Sequence, residues 1–204
     1  MTQVRAGSVS RGSVSAMTDV VDLHDAAAER FGEAVTAIRD DEWRAVTPCT
    51  EWNVAELLEH NVVECLWVSP IMAGETVESV GDRFSGDVLG GDPKGAWEDA
   101  MEAACNAIAE PGALERTVHL SYGDVSGEEF ARQRFMDLLV HAWDLSRAVH
   151  TDETLPSDLC QAALEYVEPL APALASTGLF LPPVDPPVDA DAQTRLLCLT
   201  GRRP

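Results

Sequence analysis

The sequence feature that most constrains the fold is a polar stripe in the segment 134–145. Each residue of an α-helix turns by about 100°, so Asp137, His141 and Asp144 fall on one narrow stripe. The neighbouring arc of the same helix is apolar, which predicts a buried face; it holds Phe135, Leu138, Leu139, Ala142, Trp143, Leu145 and Val149. The segment therefore predicts a long helix that packs into a core and carries polar groups along the edge of that core.

A carboxylate and an imidazole one turn apart on this helix indicate one of two structures. Helical bundles build metal sites from such side chains on facing helices. The alternative is a solvated helix edge, which is the simpler interpretation of this helix alone. Side chains lean toward the helix N-terminus, which brings Asp137 and His141 together and favours Asp137 as the metal ligand. Asp144 then suits a hydrogen-bond acceptor for the imidazole, or a solvated acid.

A second histidine lies in another predicted helix, over residues 54–72, for which Thr50 and Asn53 compete as the N-cap. His60 has glutamates one turn either side, so a surface histidine is the alternative to a ligand. Two histidines and one carboxylate match the ligand set of a catalytic zinc site, which keeps one position for water or substrate. His60, Asp137 and His141 are therefore the candidate metal ligands, although the spacing does not show that His60 reaches the other two.

The rest of the chain predicts a single, mostly α-helical domain over residues 17–204, preceded by a disordered Ser/Gly-rich tail over residues 1–16. His24 lies on an apolar helical stripe and is interpreted as a packed core residue. Apolar residues at helical spacing predict further helices. Alternating apolar and polar residues predict a short extended crossover or hairpin, and prolines predict an extended C-terminal segment. The helices are 20–39, 94–109, 127–149, 155–174 and 191–202, the extended segments are 117–122 and 180–188, and 73–93 is a long connection, a candidate lid.

Charge and cysteine usage exclude several classes of protein. Fourteen basic and thirty-five acidic residues give a formal charge of −21, which repels nucleic-acid phosphates and anionic membrane surfaces. No apolar run approaches the roughly 20 residues of a membrane span, and no signal peptide is visible. The five cysteines form no C-x-x-C pair, so neither a disulfide framework nor a zinc ribbon is indicated. We expect a cytoplasmic protein that binds neither nucleic acid nor membranes.

Three motifs in combination carry a resemblance to a known family. They are Thr47-Pro48-Cys49-x-x-Trp52-x-Val54 followed by Leu57-Leu58-x-His60, the run from Asp137 to Leu145, and Leu196-Leu197-x-Leu199-Thr200-Gly201-Arg202-x-Pro204. The first two resemble the metal-binding domain of mycothiol-dependent maleylpyruvate isomerases, and the third resembles a short single-domain branch of it. The resemblance implies a DinB-like up-down four-helix bundle with His60, Asp137 and His141 as ligands of a divalent metal. The family's isomerases carry glutamate at the position of Asp137 and an additional C-terminal domain.

The resemblance also implies a function. It predicts a metal-dependent transferase or isomerase that uses a low-molecular-weight thiol, mycothiol or a similar compound, and acts on a small-molecule substrate. Zinc is the favoured metal, with nickel or another divalent ion as alternatives, and a homodimer is left open. The competing hypotheses are a non-catalytic metal-binding or sensor bundle and a metal-free helical interaction module. Cys49, near a helix start, is interpreted as a buried loop cysteine beside Trp52, and Trp52 and Trp143 as packing residues.

Overall fold

The fold is described by a computed structural model over residues 19–50, 52–171 and 182–204. Helices dominate it, and a two-stranded hairpin lies in the middle of the chain. The elements are α1 (Val20–Ala37), α2 (Val54–Met72), α3 (Val77–Val80), α4 (Pro93–Ile108), β1 (Thr117–Leu120), β2 (Gly123–Ser126), α5 (Gly127–Ala148), α6 (Ser157–Val167) with a 3₁₀ turn (Glu168–Leu170), and α7 (Ala192–Leu199). The predicted mostly helical fold is confirmed, and it is that of a DinB-like helical bundle.

Polar caps account for where the site-bearing helices begin. Of the two candidates at the start of α2, Asn53 is the cap: its side chain accepts a hydrogen bond from the Glu56 amide, while the Glu56 side chain accepts one from the Asn53 amide. Ser126 caps α5 by accepting a hydrogen bond from the Glu129 amide, which agrees with the predicted start of this helix at residue 127. These two caps set the phase of α2 and α5, and hence the direction of the side chains at the candidate site.

Four long helices enclose the core. The most extensive contacts are between α1 and α5 and between α2 and α4, and further contacts of α1 with α4 and of α2 with α5 close the bundle. Aromatic rings fill its centre, where Phe31 lies 4.6 Å from Trp97 between ring centroids. Trp143 and Phe135 of the predicted apolar arc are also fully buried. The apolar face of α5 is thus a core face, which leaves its polar stripe at the core's edge.

The connections add detail to the sequence expectations. The extended segment forms a two-stranded antiparallel hairpin, one of the two predicted alternatives, with Val118 opposite Val125. The connection after α2 contains the short helix α3 and contacts the hairpin through a bridge between Thr76 and His119. The helix predicted for 155–174 begins at Ser157 and passes into a 3₁₀ turn after Val167, where Pro169 lacks the amide that would continue the hydrogen-bond ladder. Residues 172–174 of the predicted range lie outside the described residues.

The predicted tails lie partly outside the described residues. The proposed disordered segment 1–16 and part of the proline-rich stretch, residues 180–181, belong to the ranges that the structure does not describe. The remainder of that stretch, from residue 182 to residue 187, has no regular secondary structure, in accord with its prolines. Among the described helices, none combines the length and apolar character that crossing a membrane would require.

Candidate metal centre

Two helices of the bundle bring the three predicted ligands together. His60 comes from α2, while Asp137 and His141 come from adjacent turns of α5. The Nε2 atom of His60 lies 3.6 Å from Oδ2 of Asp137, and Nε2 of His141 lies 3.5 Å from Oδ1 of the same carboxylate. One ligand atom from each of the three residues can be chosen so that all lie within 4.8 Å of one another. The open question of whether His60 reaches α5 is therefore answered by the packing of α2 on α5.

The spacing of these atoms suits a shared cation better than direct hydrogen bonds. Zinc bonds to imidazole nitrogen and carboxylate oxygen are about 2.0–2.2 Å long, so neighbouring ligands of a tetrahedral zinc lie about 3.4 Å apart. The separations of 3.5 and 3.6 Å, which run to the two different oxygens of the Asp137 carboxylate, are close to that value. They are longer than the 2.7–3.2 Å typical of N–H···O hydrogen bonds. The donor set, two imidazoles and one carboxylate, fits a divalent transition metal in chemical type as well as in spacing.

Trp52 forms a wall of the site next to α2. Its ring stacks on His60 with a centroid separation of 4.4 Å and an interplanar angle of 28°, and it lies 5.9 Å from the ring of His141. Trp52 is thus a packing residue, as its sequence context predicts, and the residue it packs against is a candidate ligand. The His60 side chain keeps 25% of its surface exposed, against 7% for His141. The centre is therefore reached by solvent from the His60 side.

The other ring nitrogen of His141 is held by Asp144. Nδ1 lies 3.0 Å from Oδ2 of Asp144, a side chain with no exposed surface. A carboxylate accepts hydrogen bonds, so Nδ1 carries the proton and donates, which leaves Nε2 with its lone pair toward Asp137. This is the arrangement in which a carboxylate fixes the tautomer of a metal-binding histidine. Of the two alternatives for Asp144, a solvated acid is wrong, because the side chain is fully buried.

The charges around the two carboxylates keep both ionised. Burial by itself would raise the pKa of Asp137, but the contacts with His141 and His60 and the charge of Arg134 outweigh it and hold that pKa far below its usual range. Burial would likewise raise the pKa of Asp144, yet the hydrogen bond from His141 and the charge of Arg202 lower it to about 2. Each carboxylate is thus present in the form that accepts a cation or a hydrogen bond at neutral pH.

Two arginines at the site were missed by sequence reasoning. Arg134 is one turn before Asp137, with Nη1 3.7 Å from its Oδ2, and it is also paired with Glu64 of α2. A signal for this pair existed, because Arg134 and Glu64 lie one turn from Asp137 and His60 on their respective helices. Arg202 reaches the site from the C-terminal end of the chain, and no local spacing could have indicated it.

Cys49 also lies closer to the site than its interpretation as a packing residue implied. Its Sγ is 3.1 Å from Oδ2 of Asp144 and 3.8 Å from Nδ1 of His141. Burial, with the Asp144 charge, raises the pKa of this thiol to about 12, so it is protonated at neutral pH and can donate to Asp144. Cys49, His141 and Asp144 could by their types hold a metal themselves, but the guanidinium of Arg202 already covers the Asp144 carboxylate. We therefore interpret them as support for the imidazole of His141.

A third group with ligand chemistry is formed by His24, Asp25 and Cys105 between α1 and α4. Nδ1 of His24 lies 3.7 Å from Sγ of Cys105 and 3.7 Å from Asp25. Its Nε2 is buried and has no hydrogen-bond partner among the described residues. A metal on Nδ1 would place the ring proton on Nε2, a donor left unsatisfied in the core. The arrangement favours a packed core histidine, which is how the sequence was interpreted.

Comparison with known proteins adds information that the geometry lacks. The profile of the family described as the mycothiol maleylpyruvate isomerase N-terminal domain matches residues 24–146, a range that contains all three candidate ligands. Two uncharacterized proteins of Mycobacterium tuberculosis, from strains CDC 1551 and H37Rv, are each 31% identical over 165 residues. The alignment covers 78% of this chain and 80% of each relative. No solved structure matches the chain.

Proposed function

This chain belongs to the mycothiol maleylpyruvate isomerase N-terminal domain family, and we propose that it binds one divalent metal ion through His60, Asp137 and His141. We further propose that the metal centre serves a transferase or isomerase reaction of a low-molecular-weight thiol, of which mycothiol is the first candidate. The observation that carries the proposal is the convergence of the three side chains from α2 and α5 at the spacing of a coordination sphere.

The ligand set supports zinc as the first candidate metal. Imidazole and carboxylate ligands together suit zinc and nickel, whereas magnesium and calcium prefer oxygen ligands alone. Three protein ligands leave at least one coordination position free, which distinguishes catalytic zinc sites from four-ligand structural ones. The partial exposure of His60 and Asp137 gives a small thiol a direction from which to approach.

A bound divalent metal would supply Lewis-acid chemistry, which favours the deprotonated form of a bound thiol or water at neutral pH. The chain's own residues do the rest. Asp144 accepts a hydrogen bond from Nδ1 of His141 and keeps Nε2 available, while Trp52 stacks on His60 and limits its rotation. Arg134 holds the Asp137 carboxylate toward the two imidazoles. These contacts preorganise the site before a substrate arrives, which is the structural requirement for binding and orienting a small thiol.

A second candidate function is a non-catalytic metal-binding or sensor protein. It is favoured by the low exposure of the ligands, since His141 and Asp137 keep only 7% and 17% of their side-chain surface open. The two functions differ in one measurable respect. Thiol-dependent turnover of an electrophilic small molecule would accompany the first, whereas the second would bind metal without turnover.

Metal content tests the proposal directly. Protein purified without an affinity tag should contain about one divalent ion per chain by elemental analysis, and a His60→Ala variant should lose it while keeping its helical circular dichroism. The matched control is His119→Ala, because His119 is an exposed hairpin histidine already paired with Asp124. Wild-type protein that takes up no zinc or nickel at micromolar concentration would contradict the proposal.

Mycothiol binding tests the thiol part separately. If the thiol completes the coordination sphere, mycothiol should raise the melting temperature of metal-loaded protein but not of metal-free protein, since a ligand stabilises only the state it binds. His141→Ala should respond like metal-free protein. Equal shifts with and without metal, or no shift in either, would remove the thiol from the proposal and leave the metal-binding function.

A further inference from the structure

The C-terminal residues turn back onto the bundle at the end of α7. Gly201 has φ of 84°, its amide donates to the carbonyl of Cys198 at 3.0 Å, and the Arg202 amide donates to the carbonyl of Leu197 at 2.8 Å. These two bonds form a Schellman motif, in which a glycine in left-handed conformation ends the helix and reverses the chain. The reversal sends the Arg202 side chain inward, where only 8% of the residue remains exposed.

The guanidinium of Arg202 contacts both oxygens of the Asp144 carboxylate. Nη2 donates to Oδ2 at 2.7 Å and Nε donates to Oδ1 at 3.3 Å, while Nη1 donates to the carbonyl of Thr200 at 2.9 Å. A carboxylate with no exposed surface needs a partner charge, because an isolated buried charge is strongly disfavoured. The two-point contact also defines the plane of the carboxylate, which a single contact would not do.

The carboxylate that Arg202 orients is the one that holds His141. Oδ2 of Asp144 accepts from Nη2 of Arg202 and from Nδ1 of His141, and the Cys49 thiol, 3.1 Å away, donates to the same oxygen. Nη2 of Arg202 also donates to Sγ of Cys49 at 3.3 Å, so the thiol, the guanidinium and the carboxylate form one hydrogen-bonded cluster. The loop before α2, the C-terminal part of α5 and the C-terminal turn thus meet behind the imidazole of one candidate ligand.

We infer that Arg202 is a positioning residue of the metal centre, acting on His141 through Asp144, so that the C-terminal turn after α7 is part of the site. The inference rests on the proposed metal-binding function. Its rival is a purely structural role, in which Arg202 only neutralises a buried charge. The two differ in their effect on metal affinity. A positioning residue strengthens it through the orientation of the imidazole, whereas a bare positive charge near the site weakens cation binding.

Zinc affinity, measured in a double-mutant cycle of Arg202 and Asp144, separates the positioning role from the purely structural one. Arg202→Met should weaken zinc binding by about tenfold to a hundredfold, the size typical of partners behind a metal ligand. Arg202→Lys, which keeps the charge but not the planar fork, should show a smaller loss. The double variant with Asp144→Asn should bind zinc no more weakly than Asp144→Asn alone, because Arg202 acts through that carboxylate. The matched control is Arg203→Met, since Arg203 is the exposed neighbour.

Unchanged or tighter zinc binding in Arg202→Met, or additive losses in the double variant, would overturn the inference. Arg202→Met removes the cationic partner of a buried carboxylate, so each variant's fold is checked by circular dichroism at the temperature of the titration. If Arg202→Met does not fold, Arg202→Lys carries the test: zinc affinity equal to wild type would overturn the positioning role, and a loss would support it.

Nuclear magnetic resonance of the metal-free protein gives a readout that does not depend on metal binding. The Nδ1 proton of His141, bonded to buried Asp144, should exchange slowly and give a downfield signal in wild type and in Arg203→Met. That signal should shift or vanish in Arg202→Lys. If wild type binds no metal but the signal responds to Arg202, the proposed function fails, and what stands is that Arg202 positions the His141 imidazole through Asp144. If metal binds and neither affinity nor signal responds, the positioning role fails and the function stands.

Discussion

Two groups of histidine, aspartate and cysteine side chains lie in the same bundle, and they differ in what stands behind the imidazole. At the candidate centre, His141 directs Nε2 toward Asp137 and donates from Nδ1 to Asp144, which is itself paired with Arg202. In the second group, His24 has Nδ1 near Cys105 and a buried Nε2 without a partner among the described residues. Both groups therefore bring potential ligand atoms close together. Among the described residues, the second ring nitrogen has a hydrogen-bond partner in His141 but not in His24.

This difference shows why proximity alone is a poor criterion for a metal site. A ligating imidazole needs one nitrogen free and the other satisfied, so the atoms on the far side of the ring carry as much information as those facing the cation. The same comparison extends to exposure. His60 opens the candidate centre to solvent, whereas His24 has no exposed surface. The following predictions test whether the two groups differ in solution as they do in geometry.

The largest effect is expected from removing a ligand. Asp137→Ala should abolish zinc binding, because the carboxylate contacts both imidazoles and no other carboxylate oxygen lies between them among the described residues. Cys105→Ser, made in the other group, should leave the zinc content at about one ion per chain. Elemental analysis of the two proteins after dialysis against zinc measures this. If Cys105→Ser loses zinc while Asp137→Ala retains it, the group around His24 is the metal site and the group around His60 is not.

A smaller effect is expected from Asp144→Asn. Asparagine keeps the shape but offers a weaker acceptor, so the affinity for zinc should fall by about tenfold to a hundredfold without being abolished. Competition with a chromophoric chelator gives the dissociation constants. An empty site in Asp144→Asn together with a filled one in Asp137→Ala would mean that Asp144 is the ligand.

Acid titration of metal-free protein should show a further contrast. Asp144 has its pKa lowered from 3.8 to about 2, so the native state binds this proton less readily than the unfolded chain. The resulting stability is present above pH about 4, is lost as the pH falls through 2, and amounts to about 2 kcal/mol. Asp25 also has a lowered pKa, from its contact with His24, but its side chain is half exposed and solvent screens the effect.

Urea unfolding between pH 5 and pH 2 measures this contrast. Asp144→Asn should flatten the loss of stability with acid more than Asp25→Asn does. Identical acid dependence in wild type and Asp144→Asn would show that the Asp144 carboxylate is not held by His141 and Arg202 as described.

The smallest effect is expected at His24. His24→Leu replaces a buried ring that has an unpartnered nitrogen with an apolar side chain, so the free energy of unfolding should stay within about 1 kcal/mol of wild type. His141→Leu removes a partner from buried Asp144 and should cost about 1–3 kcal/mol. Chemical denaturation of the metal-free proteins compares them. A loss above 3 kcal/mol in His24→Leu would indicate that its nitrogen has a partner in solution.

Several features followed from the sequence because they depend on neighbours in the chain. The phase of α5 placed Asp137, His141 and Asp144 on one stripe, since helical geometry repeats every 3.6 residues. Its start at Ser126 followed from the same local chemistry, because a cap needs only a side chain and the next few amides. The family motifs identified His60 as the third candidate ligand before any contact between α2 and α5 was known.

Only the tertiary structure decided what lies behind those residues. It selected Asn53 over Thr50 as the cap of α2. It also set the tautomer of His141 and brought Cys49 and Arg202 to Asp144, across chain separations that no periodicity spans. The physical reason is that a helix repeats its own pattern, whereas contacts between distant segments depend on how helices pack and where turns reverse the chain. The sequence thus determined which side chains of α5 share a face, and packing determined which of them meet a partner.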